Sequence, residues 1–559
     1  MTNAPAFTTW LDDFFASYYQ HRPVNATFIG VHAHDERLPD YSEHGLGDAL
    51  ADADSLLARL RDMPDEQLGA AELIDRKLAT GFLDIQRWEL QSRHFQHGNP
   101  CAYTGEAAFG IISLLRRPFA PVEQRLDAAR ARLTAIPTLL KQAQANVRHT
   151  PPAWAEKAID ECDGLLKLLQ GGFDLFLQAN GVDQRRFAGP LAQARAAVGE
   201  FQQYLKTELL QHPADNYACG DAALALLLRE GHFLAIDAAD IEDYAWEQFA
   251  VSAATLATHA PDFGARTPEH ALGQLAGIHP TVAGYYARYT ELWDACRASA
   301  EQHQLLTWPD YPLRYVPRPE WSRAAAAQLY FLFYHSPAPL DRLPDVEYLV
   351  TPIEPSMPIE EQRRLLRANN ESVIKLNHVV HHGAIGHHVQ NWHAFRAESR
   401  IGQIAAVDCA SRIALFCSGT MAEGWACYAT DLMDEFGFLT LLEHYSQAQA
   451  RMRMCARALV DVRLHHGTIT LDQAATFYQE RVGMAAAPAR AEATKNSMYP
   501  GTALMYLIGS DAIQHLRRDL AARPGFELRA FHDRLLSFGS IPVALIAEAM
   551  RQESAPVEA

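Results

Sequence analysis

The sequence is poor in the features of a disulfide-stapled, membrane-spanning or nucleic-acid-binding protein. Only eight cysteines stand among 559 residues, with no CxxC pair, so no disulfide framework is expected and the thiols read as reduced and mostly buried. No run reaches about 18 uninterrupted apolar residues. The opening MTNAPAFTTWLDDFF lacks the basic and long apolar regions of a signal peptide. A cytoplasmic protein without a membrane partner is the expectation from these absences. Positive charge is also scarce: 49 Lys and Arg against 67 Asp and Glu give a net charge of −18, which argues against a nucleic-acid partner. Asn25-Ala26-Thr27 matches a glycosylation sequon, read as chance without a secretory signal. Strand-like alternation is confined to short pieces at 312–316 and 348–351, and there is no internal repeat or low-complexity tract.

What remains is an ordinary globular composition, 48% hydrophobic and 21% charged, able to bury a large core. Apolar residues at three- and four-residue spacing predict helices over 46–90, 122–147, 154–178, 191–210, 221–258 and 283–303. The pattern resumes over 321–335, 358–398, 402–435, 438–465, 471–484, 500–522 and 525–552. A mainly α, multi-helical fold in two lobes is expected, 1–305 and 306–559, divided near the Pro/aromatic stretch TWPDYPLRYVPRPE and packed as one unit.

Histidine is the abundant reactive residue. Of 25 in the chain, six (His378, His381, His382, His387, His388 and His393) fall within 378–393, where an even spread would put fewer than one. Neutral imidazole is the commonest protein metal ligand, and so dense a cluster suits zinc, iron, nickel or copper better than magnesium or calcium. For one histidine alone, a hydrogen-bonded core residue is the better reading; six together point to a metal site. A regular helix lets His378 and His382, at i and i+4, share an ion. His381 and His388 lie about 10 Å apart along the axis, and His381 and His387 point in different directions. Either of those pairings needs a bulge or break, which Gly383 and Gly386 can supply.

Glu423, in the apolar helix MAEGWACYAT, is a natural further ligand from a second helix, with Gly424 for close approach. A carboxylate paired with a basic residue is the alternative. Asp461 and His465 are an i, i+4 pair suited to a supporting carboxylate–histidine contact or to an ordinary helix-surface pair. Glu492, Lys495, Tyr499 and Tyr506 surround a Pro-Gly that opens a helix; the tyrosines either reach a cleft or sit in the core with satisfied hydroxyls.

The pieces RPVNATFIGVHAHDERLPDYS (22–42), WPDYPLRYVPR (308–318), HHGAIGHHVQ (381–390), EGWACYA (423–429), VDVRLHHGTIT (460–470), YPGTALMYLIG (499–509) and FHDRLLSFGSIP (531–542) together resemble the bacterial "domain of unknown function 885" family from end to end. That family is mostly α-helical and akin to the gluzincin metallopeptidases, with HExxPGHH followed by EGWALY. The resemblance implies a zinc-type site in a central cleft between helical lobes. It implies His381, with His387 or His388, and Glu423 as ligands. The chain departs from the pattern where His382 replaces the general-base glutamate, Ile385 the motif proline, and Lys495-Asn496 an Arg-Tyr pair.

These residues predict a metal-dependent hydrolase of a small peptide-like or amide substrate, most simply with zinc. His382 would serve as base, Tyr506 as oxyanion donor, and Lys495 as a further catalytic candidate. The surplus imidazoles also suit a non-hydrolytic iron, manganese or copper enzyme of redox or lyase type. A binding protein that kept the fold without catalysis is the third reading.

Overall fold

The computed structural model describes residues 4–215, 217–329, 338–341, 343, 346–404 and 419–553. The described chain is mainly α-helical, as expected, with one pair of short strands. Local sequence sets where the helices begin. Leu441–His465 starts after Thr440, whose backbone N–H and hydroxyl donate to Glu443 Oε2 at 2.8 and 2.7 Å. Thr470 and Gln473 cap Leu471–Val482 reciprocally, the Thr470 N–H donating to Gln473 Oε1 and the Gln473 N–H to the Thr470 hydroxyl, satisfying donors that a helix start leaves orphaned.

Four long helical readings are interrupted, one of them 221–258, which breaks over 232–237 between Leu227–Gly231 and Ala238–His259. The span 46–90 divides into Glu43–Arg61 and Ala70–Gln91 around Pro64 and Gly69. The span 525–552 divides into Leu528–Ser537 and Val543–Glu553 around Gly539, whose φ is +81°, and Pro542. The span 358–398 becomes three pieces, and its interruption builds the site described below. Parts of 321–335 and 402–435, together with Cys409 and Cys417, lie outside the described residues.

Two compact units emerge. One comprises the described residues of Met1–Cys219 and Arg318–Leu343, the other those of Gly220–Pro317, Pro344–Ala406 and Ile413–Ala559. The boundary read near residue 305 therefore falls inside the second unit. In the first unit, Trp10, Phe14 and Trp154 are among the largest fully buried side chains, and Arg132 is a wholly buried cation. Its guanidinium donates to the Thr27 and Ser113 hydroxyls at 2.7 and 3.0 Å, and to the Gly110 and Arg37 carbonyls at 2.8 and 2.9 Å. Burial still pulls its pKa down to about 10, as desolvation does to any cation.

In the second unit, Ala238–His259 packs on Leu441–His465, and Gly419–Glu435 packs on Met505–Ala521. Glycines let the latter two backbones touch. A Cβ on Gly424 would lie 2.5 Å from the Gly509 carbonyl carbon, and one on Gly509 would lie 2.0 Å from the Thr420 oxygen. Strands Leu313–Pro317 and Val346–Val350 run parallel, within two residues of the pieces read from sequence. Their register pairs Tyr315 with Tyr348, ring centroids 5.2 Å apart; both tyrosines meet the histidine-rich segment.

Candidate metal centre

The histidine cluster begins in a π-helical segment, Val373–Gly383. Wider winding leaves backbone carbonyls in poor alignment, and buried carbonyls need partners. Side chains provide them. His382 Nδ1 donates to the Asn377 carbonyl at 2.7 Å, the Tyr315 hydroxyl to that of His378 at 3.0 Å, and Trp293 Nε1 to that of Gly383 at 2.7 Å. Trp425 Nε1 donates to the Ile385 carbonyl at 3.0 Å.

The helix then breaks at Ala384–Gly386 and restarts as His387–Ala394. Both glycines are sterically required. A Cβ on Gly383 would sit 1.9 Å from the Tyr315 hydroxyl oxygen, and one on Gly386 would sit 1.9 Å from the His381 carbonyl oxygen. The break turns His387 back toward His381, their ring centroids 4.8 Å apart and nearly perpendicular.

Glu423 arrives from the Gly419–Glu435 helix. Its Oε2 lies 3.3 Å from His381 Nε2 and 3.6 Å from His387 Nε2. This oxygen is buried, yet among the described residues it has no hydrogen-bond partner; its contacts with the imidazoles are ion-pair distances without hydrogen-bond alignment. The separations match donors sharing one ion, since bonds of about 2.0–2.2 Å in a tetrahedron place neighbouring ligands about 3.3–3.6 Å apart. His382 closes the group: one ring nitrogen from each of His381, His382 and His387 falls within 4.8 Å of the others.

Hydrogen bonds orient two of the rings. Gln390 donates its amide N–H to the Met421 carbonyl at 2.9 Å, which turns its Oε1 to accept from His387 Nδ1 at 3.0 Å. That bond leaves the His387 lone pair on Nε2, the atom facing Glu423. Donation from His382 Nδ1 likewise puts the lone pair of the neutral ring on its Nε2.

Electrostatics favour the protonation states that a metal needs. Burial lowers the His381 pKa, the Glu423 carboxylate opposing and His387 reinforcing the shift. His382 is pushed well below its ordinary value by burial, then by His381 and His387. Burial alone would raise the Glu423 carboxyl, but the polar contacts with His381 and His387 more than reverse this and hold it well below the usual range. His381 and His382, with lowered pKa values, beside an ionised Glu423 are donors that need release no proton on binding. By donor chemistry, spacing and the partnerless oxygen, His381, His387 and Glu423 fit a zinc-type ion.

Other residues singled out in the sequence have different roles. His388 is turned away: its Nε2 donates to the Tyr311 carbonyl at 2.7 Å, its ring stacks on Tyr311 with centroids 4.6 Å apart, and burial lowers its pKa to about 4. Of the two alternatives, the helix restart brings His387, and not His388, to His381 and Glu423. His378 is bonded through Nδ1 to the Tyr348 hydroxyl at 2.7 Å instead of sharing an ion with His382. His393 packs edge-on against Trp392. Asp461 accepts from the Gly501 and Leu504 backbone N–H groups at 2.9 and 3.1 Å, and His465 Nε2 donates to the Asn496 carbonyl at 3.0 Å. These two therefore hold the Pro-Gly turn.

Glu492 grips Arg457 with two hydrogen bonds, 2.6 and 3.1 Å. Burial opposes ionisation, but the Arg457 charge brings its pKa down to about 2. Tyr506 lies with its ring centroid 4.7 Å from the Arg457 guanidinium carbon. Tyr499 is half-buried just before the turn, and Lys495 is exposed, its charge felt by Glu492.

Sequence reading missed Gln390, Tyr348 and Arg457. Gln390 had a signal, three residues after His387 and so one turn along the same helix face. Tyr348 and Arg457 come from distant segments that only the fold brings near.

Residues 23–550 match the family described as "Bacterial protein of unknown function (DUF885)". No curated protein matches the chain. Among solved structures, it is similar to a putative lipoprotein of unknown function from Shewanella oneidensis, at 21% identity and a TM-score of 0.78, covering 98% of this chain and 99% of that one. It is also similar to a putative lipoprotein from Colwellia psychrerythraea, at 16% identity and a TM-score of 0.74, again over 98% and 99% of the two chains. At such identities the likeness is one of fold. The cytoplasmic placement expected from sequence is corrected by these likenesses, because both proteins are described as lipoproteins.

Proposed function

The chain belongs to the DUF885 family, and we propose that it is a metal-dependent hydrolase of a peptide-like or amide substrate. The observation that carries this reading is the convergence of His381 Nε2 and His387 Nε2 on a partnerless Glu423 oxygen, at 3.3 and 3.6 Å. The resemblance to a family akin to the gluzincin metallopeptidases supports it at the candidate ligands His381, His387 and Glu423, while His382 stands where that pattern has its general-base glutamate. By the two lipoprotein likenesses, a lipid-anchored or secreted placement is favoured.

His381, His387 and Glu423 would hold the metal, most simply zinc, which supplies Lewis acidity to a substrate carbonyl and to water. The chain's own residues do the rest. His382 takes the water proton on Nε2, the nitrogen left basic by its Nδ1 bond to the Asn377 carbonyl. Gln390 holds the His387 ring in one tautomer. Tyr506, its ring against the Arg457 guanidinium, is the candidate donor to the oxyanion that forms at the carbonyl.

The reading is tested by elemental mass spectrometry of protein purified without a metal-affinity tag, paired with cleavage of short peptides before and after chelation. Near-stoichiometric zinc, lost in His381→Ala and in Glu423→Ala, with chelator-sensitive cleavage, is expected. Metal-free protein that still cleaves, or metal-loaded protein that cleaves no amide, would sink it. The second reading, a non-hydrolytic metalloenzyme, is favoured by the third imidazole: His382 is within 4.8 Å of the other two. Bound iron, manganese or copper with oxygen consumption would establish it instead.

A further inference from the structure

Two stretches of chain carry the candidate ligands, and they are joined at both ends. The π-helical segment Val373–Gly383 and the short helix after it bring His381 and His387, and the Gly419–Glu435 helix, packed on that segment, brings Glu423. Beside the ligands the joins are neutral hydrogen bonds, from Trp425 Nε1 to the Ile385 carbonyl at 3.0 Å and from Gln390 Nε2 to the Met421 carbonyl at 2.9 Å. At the far end the join is a buried cation. Lys375 Nζ donates to the Phe438 carbonyl at 2.8 Å and to Glu443 Oε2 at 3.1 Å, and it lies 4.4 Å from the Phe438 ring centroid. Both Lys375 and Glu443 are buried.

Phe438 is built into the end of the Glu423 helix. Its N–H returns to the Met433 carbonyl, and that of Gly437, whose φ is +72°, to the Asp434 carbonyl, both at 2.9 Å; these are the paired bonds of a Schellman cap. Glu443 is held as firmly, because the same Oε2 accepts from the Thr440 N–H and hydroxyl at the start of Leu441–His465. Lys375 therefore ties the histidine segment to the end of one helix and the beginning of the next. A buried ion pair adds little net stability, since desolvation of both charges offsets their attraction. With each partner fixed by other bonds, what the pair defines is the angle between the elements it joins. The hydrogen bonds at the ligand end then act as a pivot, and loss of the far join lets Glu423 turn relative to His381 and His387.

Resting on the metal centre of the reading above, we propose that Lys375 is a positioning residue that sets which ion the centre accepts, by holding Glu423 and the histidines at the spacing of a zinc-sized dication. Zinc has no geometric preference of its own from d-electrons, so the choice of ion falls to the donor spacing and to how firmly it is held. A loosened clamp opens a wider range of spacings to the same donors. Cadmium, also a closed-shell dication but larger, makes longer bonds and fits the widened spacing better.

The test is the ratio of zinc to cadmium affinity, measured by chelator competition on the full-length protein and on Lys375→Met. A variant that merely folds less well loses affinity for both ions by one factor, its competent fraction, and keeps the ratio. The ratio is expected to fall about tenfold or more, on the scale of losing a partner that orients a metal's ligands. An unchanged ratio in Lys375→Met overturns the proposal, whatever the loss of either affinity. Should that variant fail to fold, the double variant Lys375→Met/Glu443→Gln, which buries no unpaired charge, carries the same expectation and is overturned by the same result. Wild type that binds neither ion overturns the clamp together with the metal centre. A Lys375-dependent ratio in protein that cleaves no amide leaves the clamp standing and the hydrolase reading fallen. Chelator-sensitive cleavage with a ratio indifferent to Lys375 does the reverse.

Discussion

His387 donates its Nδ1–H to Gln390 Oε1 at 3.0 Å, one turn along the same short helix, while the Gln390 amide N–H is fixed on the Met421 carbonyl at 2.9 Å. The imidazole tautomer is thereby set from outside the site. Because that tautomer presents Nε2 to Glu423, Gln390→Ala should weaken metal binding about 10–100-fold, the usual effect of removing a ligand's supporting hydrogen bond. Competition with a chromophoric chelator measures it. Affinity unchanged in Gln390→Ala would mean that Gln390 does not orient the ring.

The break after the π-helical segment yields a paired prediction. Gly386→Ala places a methyl 1.9 Å from the carbonyl oxygen of His381, so relief of the clash must move the backbone of a candidate ligand. It should cost more than about 2 kcal/mol and lower metal affinity. Gly47→Ala, in the Glu43–Arg61 helix where an added Cβ meets nothing within 4 Å, should instead stabilise by about 0.4–1 kcal/mol. Chemical denaturation of both variants decides it; equal effects would show that the Gly386 backbone adapts freely.

The same segment shows how far the sequence could be read. Six histidines in sixteen positions made a candidate metal site visible, and ideal helix geometry required a break between His381 and His387, with Gly383 and Gly386 as its means. Local pattern could not choose between His387 and His388, because that choice depends on where the helix restarts. Gly386 caps the new helix, which aims His387 at Glu423 and gives His388 to the Tyr311 carbonyl. Nor could spacing reveal that 373–383 winds as a π-helix. That conformation depends on Tyr315 and Trp293 reaching its carbonyls from other parts of the chain. The strands were legible in place; their parallel register, which sets Tyr348 beside His378, was not.

A second pair of contacts, in the first unit, predicts pH-dependent stability. His32 bonds Asp35 through Nδ1 at 2.9 Å and Asp341 through Nε2 at 2.7 Å, its ring stacked on Phe119 at 3.8 Å. Burial would lower its pKa, but the Asp341 and Asp35 bonds outweigh this and raise it to about 9. A folded-state pKa above the unfolded value of about 6.5 stabilises fully below pH 6.5, and the contribution fades as pH rises through about 9. Wild type should therefore exceed His32→Gln in Tm most strongly near pH 6, the gap closing by pH 9 to 10. A gap independent of pH would show that His32 acts through packing alone.

His382 is the residue on which the hydrolytic and redox readings of the proposed centre divide. Its Nδ1 is engaged with the Asn377 carbonyl, and its Nε2 lone pair belongs to the three-imidazole group. Burial and the neighbouring histidines keep the ring neutral well below its ordinary range, so it is an available but weak base. As a base it touches water and not the metal, and His382→Ala should retain full metal content while kcat falls about 10²–10⁴-fold. His382→Glu, with the carboxylate that the family pattern carries there, should keep the metal and recover much of that loss, since a base is replaced by a base. If His382→Ala instead loses metal in proportion to activity, the third imidazole is a ligand, no group remains to take the water proton, and the redox reading replaces the hydrolytic one.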